Sequence, residues 1–350
     1  MMKHVLILAQ VMSTLTVSKH FVEASLSGAQ RLGLDVHELL QEAGISPDLL
    51  RIEKARVSSD QFSTLMQVIW SRTGDEFMGL GSRRARSGTF ATMCALVIDC
   101  QTLEEVYQRA FQFSRLFEPM VAMELEVGED SARLVTRIEG EIHDPDYYLR
   151  ESILVIWHRL GSWLIGQPVE LEKAEFNYPR PEHGDEYRHI FHCPLSFDSD
   201  CTALTFSKRF LSAPVIRDKP EMRQFLKTSP ADLLSRPDES NTWTGRIRGL
   251  IGRDFSRPMP DFDWIALELH TSPQTLRRRL KQENTSFQEI KDLLRRDMAI
   301  YYLSHQELPI NDIAERVGFT EPSTFHRAFK KWTGVTPGAW REGERGDLAQ

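Results

Sequence analysis

Ile313-Ala314-Glu315-Arg316-Val317-Gly318-Phe319-Thr320-Glu321-Pro322-Ser323-Thr324-Phe325-His326-Arg327-Ala328-Phe329-Lys330 repeats, in altered form, a segment that occurs earlier in the chain. Ile265-Ala266-x-x-Leu269 answers Ile313-Ala314-x-x-Val317 at an offset of 48 residues, and Leu276-x-Arg278-x-Leu280-Lys281 answers Phe325-x-Arg327-x-Phe329-Lys330 at 49. The later copy therefore has one more residue in its turn. Each copy reads as helix, tight turn, helix. Gly318 falls where the later turn needs backbone angles that residues with a Cβ resist.

The second helix of each copy has readable ends and faces. Ser272 is placed to cap the first, with Pro273 at the first helical position; Thr320 is placed to cap the second, with Glu321 and Pro322 in its first turn. Leu276 and Leu280, four residues apart, face inward, so Gln274, Thr275, Arg277, Arg278 and Lys281 remain for the outside. In the second, Phe325 and Phe329 turn inward and leave Ser323, Thr324, His326, Arg327 and Lys330. A DNA major groove asks for such residues: Arg donates twice to guanine, Gln pairs with adenine, and Lys neutralises phosphate. A single charged face would be read as solvated helix surface; two in tandem point to a reader of double-stranded DNA.

Ser286-Phe287-Gln288-Glu289 forms a capping box between the copies and predicts a helix to about Ser304, with Ile290, Leu294 and Met298 on one face. At ~1.5 Å per residue it is a rod of roughly 28 Å. Adjacent major grooves on one face of DNA lie about 34 Å apart, so one chain can present both reading helices to one face. The charge distribution agrees. The whole chain carries −7, but residues 271–341 hold 12 Lys+Arg against 8 Asp+Glu, which leaves −11 for the remainder.

Upstream, the texture is different. At 350 residues the chain is long enough for two domains. Residues 17–117 read as helical, with Ser58-Ser59-Asp60 opening one helix and Thr102-Leu103-Glu104-Glu105 opening another that runs to Phe117. Residues 120–127 and 132–138 alternate around Gly128-Glu129-Asp130 as a β-hairpin. A helix from Tyr147 to Ile165 stops at Gly166, and short strands are expected at 171–178, 195–197 and 203–206. The expected fold is an α+β domain, helices with a small antiparallel sheet, over residues 17–226, a polar linker over 227–241, and an all-α domain over 242–341 with two helix-turn-helix units. The latter opens with a helix from Trp243 to about Phe255, closed by Pro258-Met259-Pro260.

The C-terminal residues resemble the AraC/XylS family of bacterial regulators. The resemblance rests on Leu276-Arg277-Arg278-Arg279-Leu280, residues 312–319 and 323–330, and Gly334-Val335-Thr336-Pro337, and covers about residues 243–341. It implies a seven-helix DNA-binding domain in which Gln274, Arg277, Arg278, Ser323, Thr324 and Arg327 touch bases and backbone, while Ile313, Ala314, Gly318, Phe319, Phe325 and Phe329 are packing positions. Residues 17–219 resemble the arabinose-binding-type ligand domain of one branch of that family, through Gly33-Leu34-Asp35, Ala43-Gly44-Ile45, the Leu103–Phe117 helix and Phe191-His192-Cys193-Pro194-Leu195-x-Phe197. The partners so implied are promoter DNA, RNA polymerase, a small-molecule effector that the residues do not identify, and a second copy of the chain. Transcription activation is the outcome the resemblance implies.

For the effector, Phe113, Arg115, His143, Tyr147 and Arg150, with Phe117 and Tyr148 beside them, offer aromatic walls and cations for an anionic group at a helix–sheet junction. His189, His192 and Cys193 do not complete a zinc site and read as a packed turn, so no metal or cofactor is expected. Cys94, Cys100, Cys193 and Cys201 lack CxxC spacing and read as reduced thiols. No GxSxG, Walker loop, HExxH or GxGxxG occurs, which leaves an enzyme without a catalytic motif. An architectural DNA-binding protein is the remaining alternative. The apolar run after Met2 breaks at Gln10 without a cleavage site, no stretch has the length to span a bilayer, and a cytoplasmic location is expected.

Overall fold

The computed structural model describes residues 16–117, 120–144, 146–227, 233, 242–252, 259–305 and 308–345. Its N-terminal region runs β1 (Thr16–Ser18), α1 (Lys19–Arg31), α2 (Val36–Glu42), β2 (Arg56–Ser58), α3 (Ser59–Thr73), α4 (Thr89–Val97), α5 (Leu103–Arg115), β3 (Val121–Val127), β4 (Ser131–Ile138), α6 (Tyr148–Ile165), β5 (Leu171–Glu175), α7 (Tyr187–Phe191), β6 (Leu195–Ser196), β7 (Thr202–Ser207) and α8 (Lys219–Phe225). The C-terminal region is helical: α9 (Trp243–Ile251), α10 (Phe262–Glu268), α11 (Pro273–Gln282), α12 (Phe287–His305), α13 (Ile310–Arg316), α14 (Pro322–Thr333) and α15 (Pro337–Arg345). The expected α+β domain followed by an all-α domain is what the chain forms. Among the described residues no helix is long and apolar enough to cross a membrane.

The hairpin of β3 and β4 pairs in unbroken register from Val121↔Ile138 to Val127↔Ala132. The Gly128 amide closes its turn on the Ser131 carbonyl at 2.9 Å. The full sheet has the order β3-β4-β7-β5-β6 and is mixed, a correction to the antiparallel expectation, because β6 runs parallel to β5. A parallel neighbour requires a crossover, and the segment containing α7 supplies it. His192 then reverses the chain in the left-handed region at φ 51°. Helices α5 and α6 pack together on this sheet, with Phe111 edge-on to Trp157 at 4.9 Å between ring centres. Gly161 lets them approach, since a Cβ there would stand 2.2 Å from the Tyr107 hydroxyl.

The region read as wholly helical also contains a two-stranded sheet, β1 with β2, in the register Thr16↔Ser58 to Ser18↔Arg56. Ser18 and Ser58 explain it: both stand in extended conformation immediately before a helix, and Ser58 closes a reciprocal capping box with Gln61. Extended caps carry the preceding residues into strand geometry, which helical periodicity does not reveal. Helices α7 and α8 were not foreseen either, whereas α4 falls within the stretch read as helical. Helix α5 ends at Arg115, short of Phe117, and α9 closes at Ile251, where Gly252 takes φ 70°. The apolar start at 2–10, residues 253–258, and the linker 227–241 apart from Lys227 and Leu233 lie outside the described residues.

The two regions touch through a buried ionic chain. The Arg56 guanidinium donates to Glu186 at 2.7 Å and to the Thr16 hydroxyl at 2.7 Å; Thr16 donates to Asp297 on α12 at 2.7 Å. Asp297 also pairs with Arg296 at 2.9 Å and Arg248 at 3.4 Å. Burial pushes the Glu186 carboxyl up, but the Arg56 charge and hydrogen bond overcome this and hold it at about 2.

Candidate nucleic-acid interface

The first reading helix, α11, begins as its sequence requires. The Ser272 hydroxyl accepts the Thr275 amide at 3.1 Å, and Pro273 occupies the first turn. Leu276 and Leu280 are buried in the same core as Ile265, Ala266 and Leu269 of the preceding helix and its end. At its far end Glu283 accepts from the Trp243 amide at 2.7 Å, the Thr244 amide at 2.9 Å and the Thr244 hydroxyl at 2.6 Å. That carboxylate ties the end of α11 to the start of α9, and burial raises its pKa despite these donors. Gln274, Arg277, Arg278 and Lys281 are exposed. Thr275 is half-buried and takes the Ser272 hydroxyl at 2.9 Å, so its side chain belongs to the cap. The Arg277 guanidinium lies 5.0 Å over the Phe262 ring, leaning on α10.

The second reading helix, α14, is held by rings. Phe325 and Phe329 are fully buried with centres 5.7 Å apart, and Trp340 of α15 meets Phe329 at 5.7 Å and 90°. Its start differs from expectation. The capping position is Glu321 in place of Thr320, with no side-chain cap, because Glu321 is extended at φ −122° and Pro322 opens the helix. Ser323, Thr324, Arg327 and Lys330 are exposed; His326 is half-buried, edge-on to Phe325.

The turns match in kind. Gly318 stands at φ 81°, as expected, and His270 occupies the corresponding place in the first unit at φ 50°. Between the units, α12 is the foreseen strut, 19 residues from Phe287 to His305, or about 28 Å long. The Ser286 hydroxyl caps it from the Glu289 amide at 3.2 Å, while the Glu289 carboxylate takes the Thr285 hydroxyl at 3.4 Å, so the box closes one residue early. The strut packs on α9, α13, α14 and α15, and α9 in turn packs on α11. Arg295 of the strut reaches the Gly318 carbonyl at 3.4 Å and lies 5.0 Å over Phe319. Both reading helices thus refer their positions to one rod.

Of the five residues expected to bind an effector, Tyr147 and Arg150 come together and Phe113, Arg115 and His143 do not join them. Phe113 packs edge-on to Phe117, Arg115 is exposed and paired with Glu124 at 3.2 Å, and His143 is exposed. Tyr147 stacks on Tyr178 at 3.8 Å beneath Arg150, which pairs with the buried Asp144 at 3.2 Å. None of the five lines the cavity at the domain junction; Tyr148 does. Among the described residues no cluster of His, Cys, Asp and Glu could hold a metal. Cys94 and Cys193 are buried, which pushes both thiols up to about 12 and makes thiolate chemistry unfavourable there.

Sequence reasoning passed over Trp340, Arg295, Glu283 and the ionic chain at Asp297. Asp297 left one trace: it follows Ile290 by seven residues, which places an acid on the strut's apolar face.

Two exposed cationic helices on one strut, joined to an α+β domain, define a DNA-binding transcription regulator with a ligand-binding domain. Residues 33–215 match the arabinose-binding domain of AraC transcription regulators, and residues 265–343 match a helix-turn-helix domain. The chain belongs to the AraC family of transcription regulators. It is 27% identical to the ornithine utilization regulator of Pseudomonas aeruginosa over 92% of this chain and 95% of that protein. It is 23% identical to the transcriptional regulator VirS of Mycobacterium tuberculosis over 89% and 92% of the two chains. The solved structure of CdpR from Pseudomonas aeruginosa covers 87% of this chain and 96% of its own at 20% identity, with a TM-score of 0.32.

Proposed function

We propose that this regulator reads one promoter site with α11 and α14 acting as a single bipartite reader, and that a small molecule received by residues 17–226 sets how residues 242–341 engage it. Gln274, Arg277, Arg278 and Lys281 serve the first half-site, and Ser323, Thr324, Arg327 and Lys330 the second. Thr275 and His326 act mainly by shaping those helices. The observation that carries this reading is the attachment of both exposed faces to α12, α11 through α9 and α14 directly. Activation, by presenting RNA polymerase with a bound chain beside the promoter, is the sign we assign.

Genome-wide mapping of bound sites followed by titration of the full chain on a mapped promoter tests it. A specific reader prefers its site by at least ~10³ over random duplex. An architectural binder would show weak preference, with affinity governed by salt alone. Transcription from the mapped promoter by purified polymerase then decides the sign: it rises with added regulator, or the activating role is wrong.

A further inference from the structure

A cavity of about 110 Å³ lies where the two domains meet, somewhat smaller than the roughly 150 Å³ engineered cavity that admits benzene. That volume suits a ring or chain of about six carbons. Its apolar wall is built from Phe21, Phe62, Tyr148 and Val155 of the N-terminal domain and Leu293 of the strut. Glu151 of α6 also lines it, with only 3% of the residue exposed.

The charged groups around this cavity already have partners. Glu186 holds Arg56 at 2.7 Å, Asp297 holds Arg296 at 2.9 Å and Arg248 at 3.4 Å, and Asp185 holds Arg188 at 3.5 Å. Arg159 donates to the Leu233 carbonyl, and Glu283 takes the amides of Trp243 and Thr244. Burial holds His189 and His192 toward the neutral form, His192 at about 3. An anion would have to take an arginine from its acid, and a cation would join a lining that already holds five arginines. Either would lose its hydration without a free counter-ion to replace it.

Glu151 has an oxygen left over. Tyr178 donates to Oε1 at 3.0 Å and Tyr187 donates to the same oxygen, while Oε2 is buried with no donor among the described residues. An atom stranded in this way costs its lost hydration. Burial drives the Glu151 carboxyl well above the usual carboxylate range, toward the neutral form, and with both tyrosines aimed at Oε1 the acid proton falls to Oε2. A ligand hydroxyl suits Oε2 in either state, because it accepts from the neutral acid and donates to the carboxylate.

We infer that the junction cavity binds a small uncharged hydroxyl compound, an alcohol or a phenol, with its hydroxyl on Glu151 Oε2 and its hydrocarbon body against Phe62, Val155 and Leu293. This rests on the effector-responsive reading above and names the chemistry of the effector. Because α6 and α12 each supply part of the wall, the ligand binds best where the two domains are docked, and so shifts the population of strut positions available to DNA.

The test is thermal melting and calorimetric titration of the full chain with two matched series: phenol, benzylamine, benzoate and toluene; and cyclohexanol, cyclohexylamine, cyclohexanecarboxylate and methylcyclohexane. At least one hydroxyl compound raises the melting temperature in a dose-dependent way, and the charged and hydrocarbon members of its series bind at least ~tenfold more weakly. Glu151→Gln keeps that affinity within a few-fold, since its amide still accepts from the tyrosines and offers a donor to the hydroxyl. Glu151→Leu, whose fold is checked by circular dichroism, binds hydroxyl compound and hydrocarbon alike, and Leu293→Trp, which fills the cavity from the strut side, binds neither. If an amine binds as tightly as its alcohol and Glu151→Gln loses it, the site takes a cation and the assignment is wrong while an effector-responsive regulator stands. Equal binding of hydrocarbon and hydroxyl compound by the parent chain, or no shift with any probe while promoter binding is intact, also overturns it. If a hydroxyl compound binds as described but leaves affinity for a mapped promoter unchanged, the site stands and the effector-responsive reading fails.

Discussion

The two helix-turn-helix units meet the same requirement, a short cationic helix fixed by its buried face, by different means. The first anchors α11 with two leucines and closes its ends with polar groups, Ser272 at the start and Glu283 against α9 at the finish. The second has no side-chain cap and relies on Phe325, Phe329 and Trp340. The first exposes Arg277, Arg278, Arg279 and Lys281 along ten residues; the second spreads Arg327, Lys330 and Lys331 over twelve. The first unit joins polar closure to the more charged face, and the second is anchored by buried rings.

The largest test of this contrast is in the cores. Phe325→Ala is expected to lose about 3 to 5 kcal/mol of stability in chemical denaturation. Leu276→Ala is expected at the lower end of the ~2 to 5 kcal/mol range for buried leucine. Equal losses would erase the distinction between an aromatic and an aliphatic anchor.

Smaller effects belong to the reading faces. Arg278→Ala and Arg327→Ala should each cost roughly 1 to 3 kcal/mol, confined to the base positions each one reads, and relax specificity there. Binding as tight and selective as the parent's in quantitative titrations would remove the residue from the interface. Lys281→Ala, by contrast, should weaken all sequences alike and reduce the salt slope by about one.

The turns come next. Gly318→Ala should lose about 1 to 2 kcal/mol of stability from left-handed backbone alone, since its Cβ would meet nothing nearer than Arg295 at 3.6 Å. His270→Gly, relieving the same conformation in the first unit, should change stability by less than about 1 kcal/mol. The caps give the smallest shift: Ser272→Ala loses about 1 kcal/mol, whereas Glu321→Ser supplies the cap that α14 lacks and gains about 0.5 to 1 kcal/mol. No gain from Glu321→Ser in thermal melts would mean that Pro322 alone already sets the start of α14.

These units were readable because their constraints are local. Ser272-Pro273, Gly318, Ser286-x-x-Glu289 and the spacing of Leu276 with Leu280 each act within one or two turns of helix, so sequence order carries the information. Where the order of caps failed, at Thr320 against Glu321, the difference was one residue and the cause was the fixed angle of a proline. The hairpin and α6 were legible for the same reason, through Gly128 and Gly166.

The domain junction was not. Thr16, Arg56, Glu151, Glu186 and Asp297 are scattered over most of the chain, and neither periodicity nor spacing joins them. The aromatic and basic residues chosen instead, Phe113, Arg115, His143, Tyr147 and Arg150, look alike in sequence whether they line a cavity or pair with a neighbour such as Glu124 or Asp144. Only the fold separates the two cases, by bringing α6, α7 and the strut to one place.

The central claim is that α11 and α14 act as one rigid reader, and the spacing of the two half-sites tests it most directly. Inserting about five base pairs, half a turn of duplex, between the half-sites of a mapped promoter puts them on opposite faces of the DNA. A rod fixed to both helices cannot follow, so affinity should fall at least ~100-fold, to the level of a promoter with one half-site scrambled. Affinity retained within a few-fold across that insertion would contradict a rigid bipartite reader and show two units binding independently.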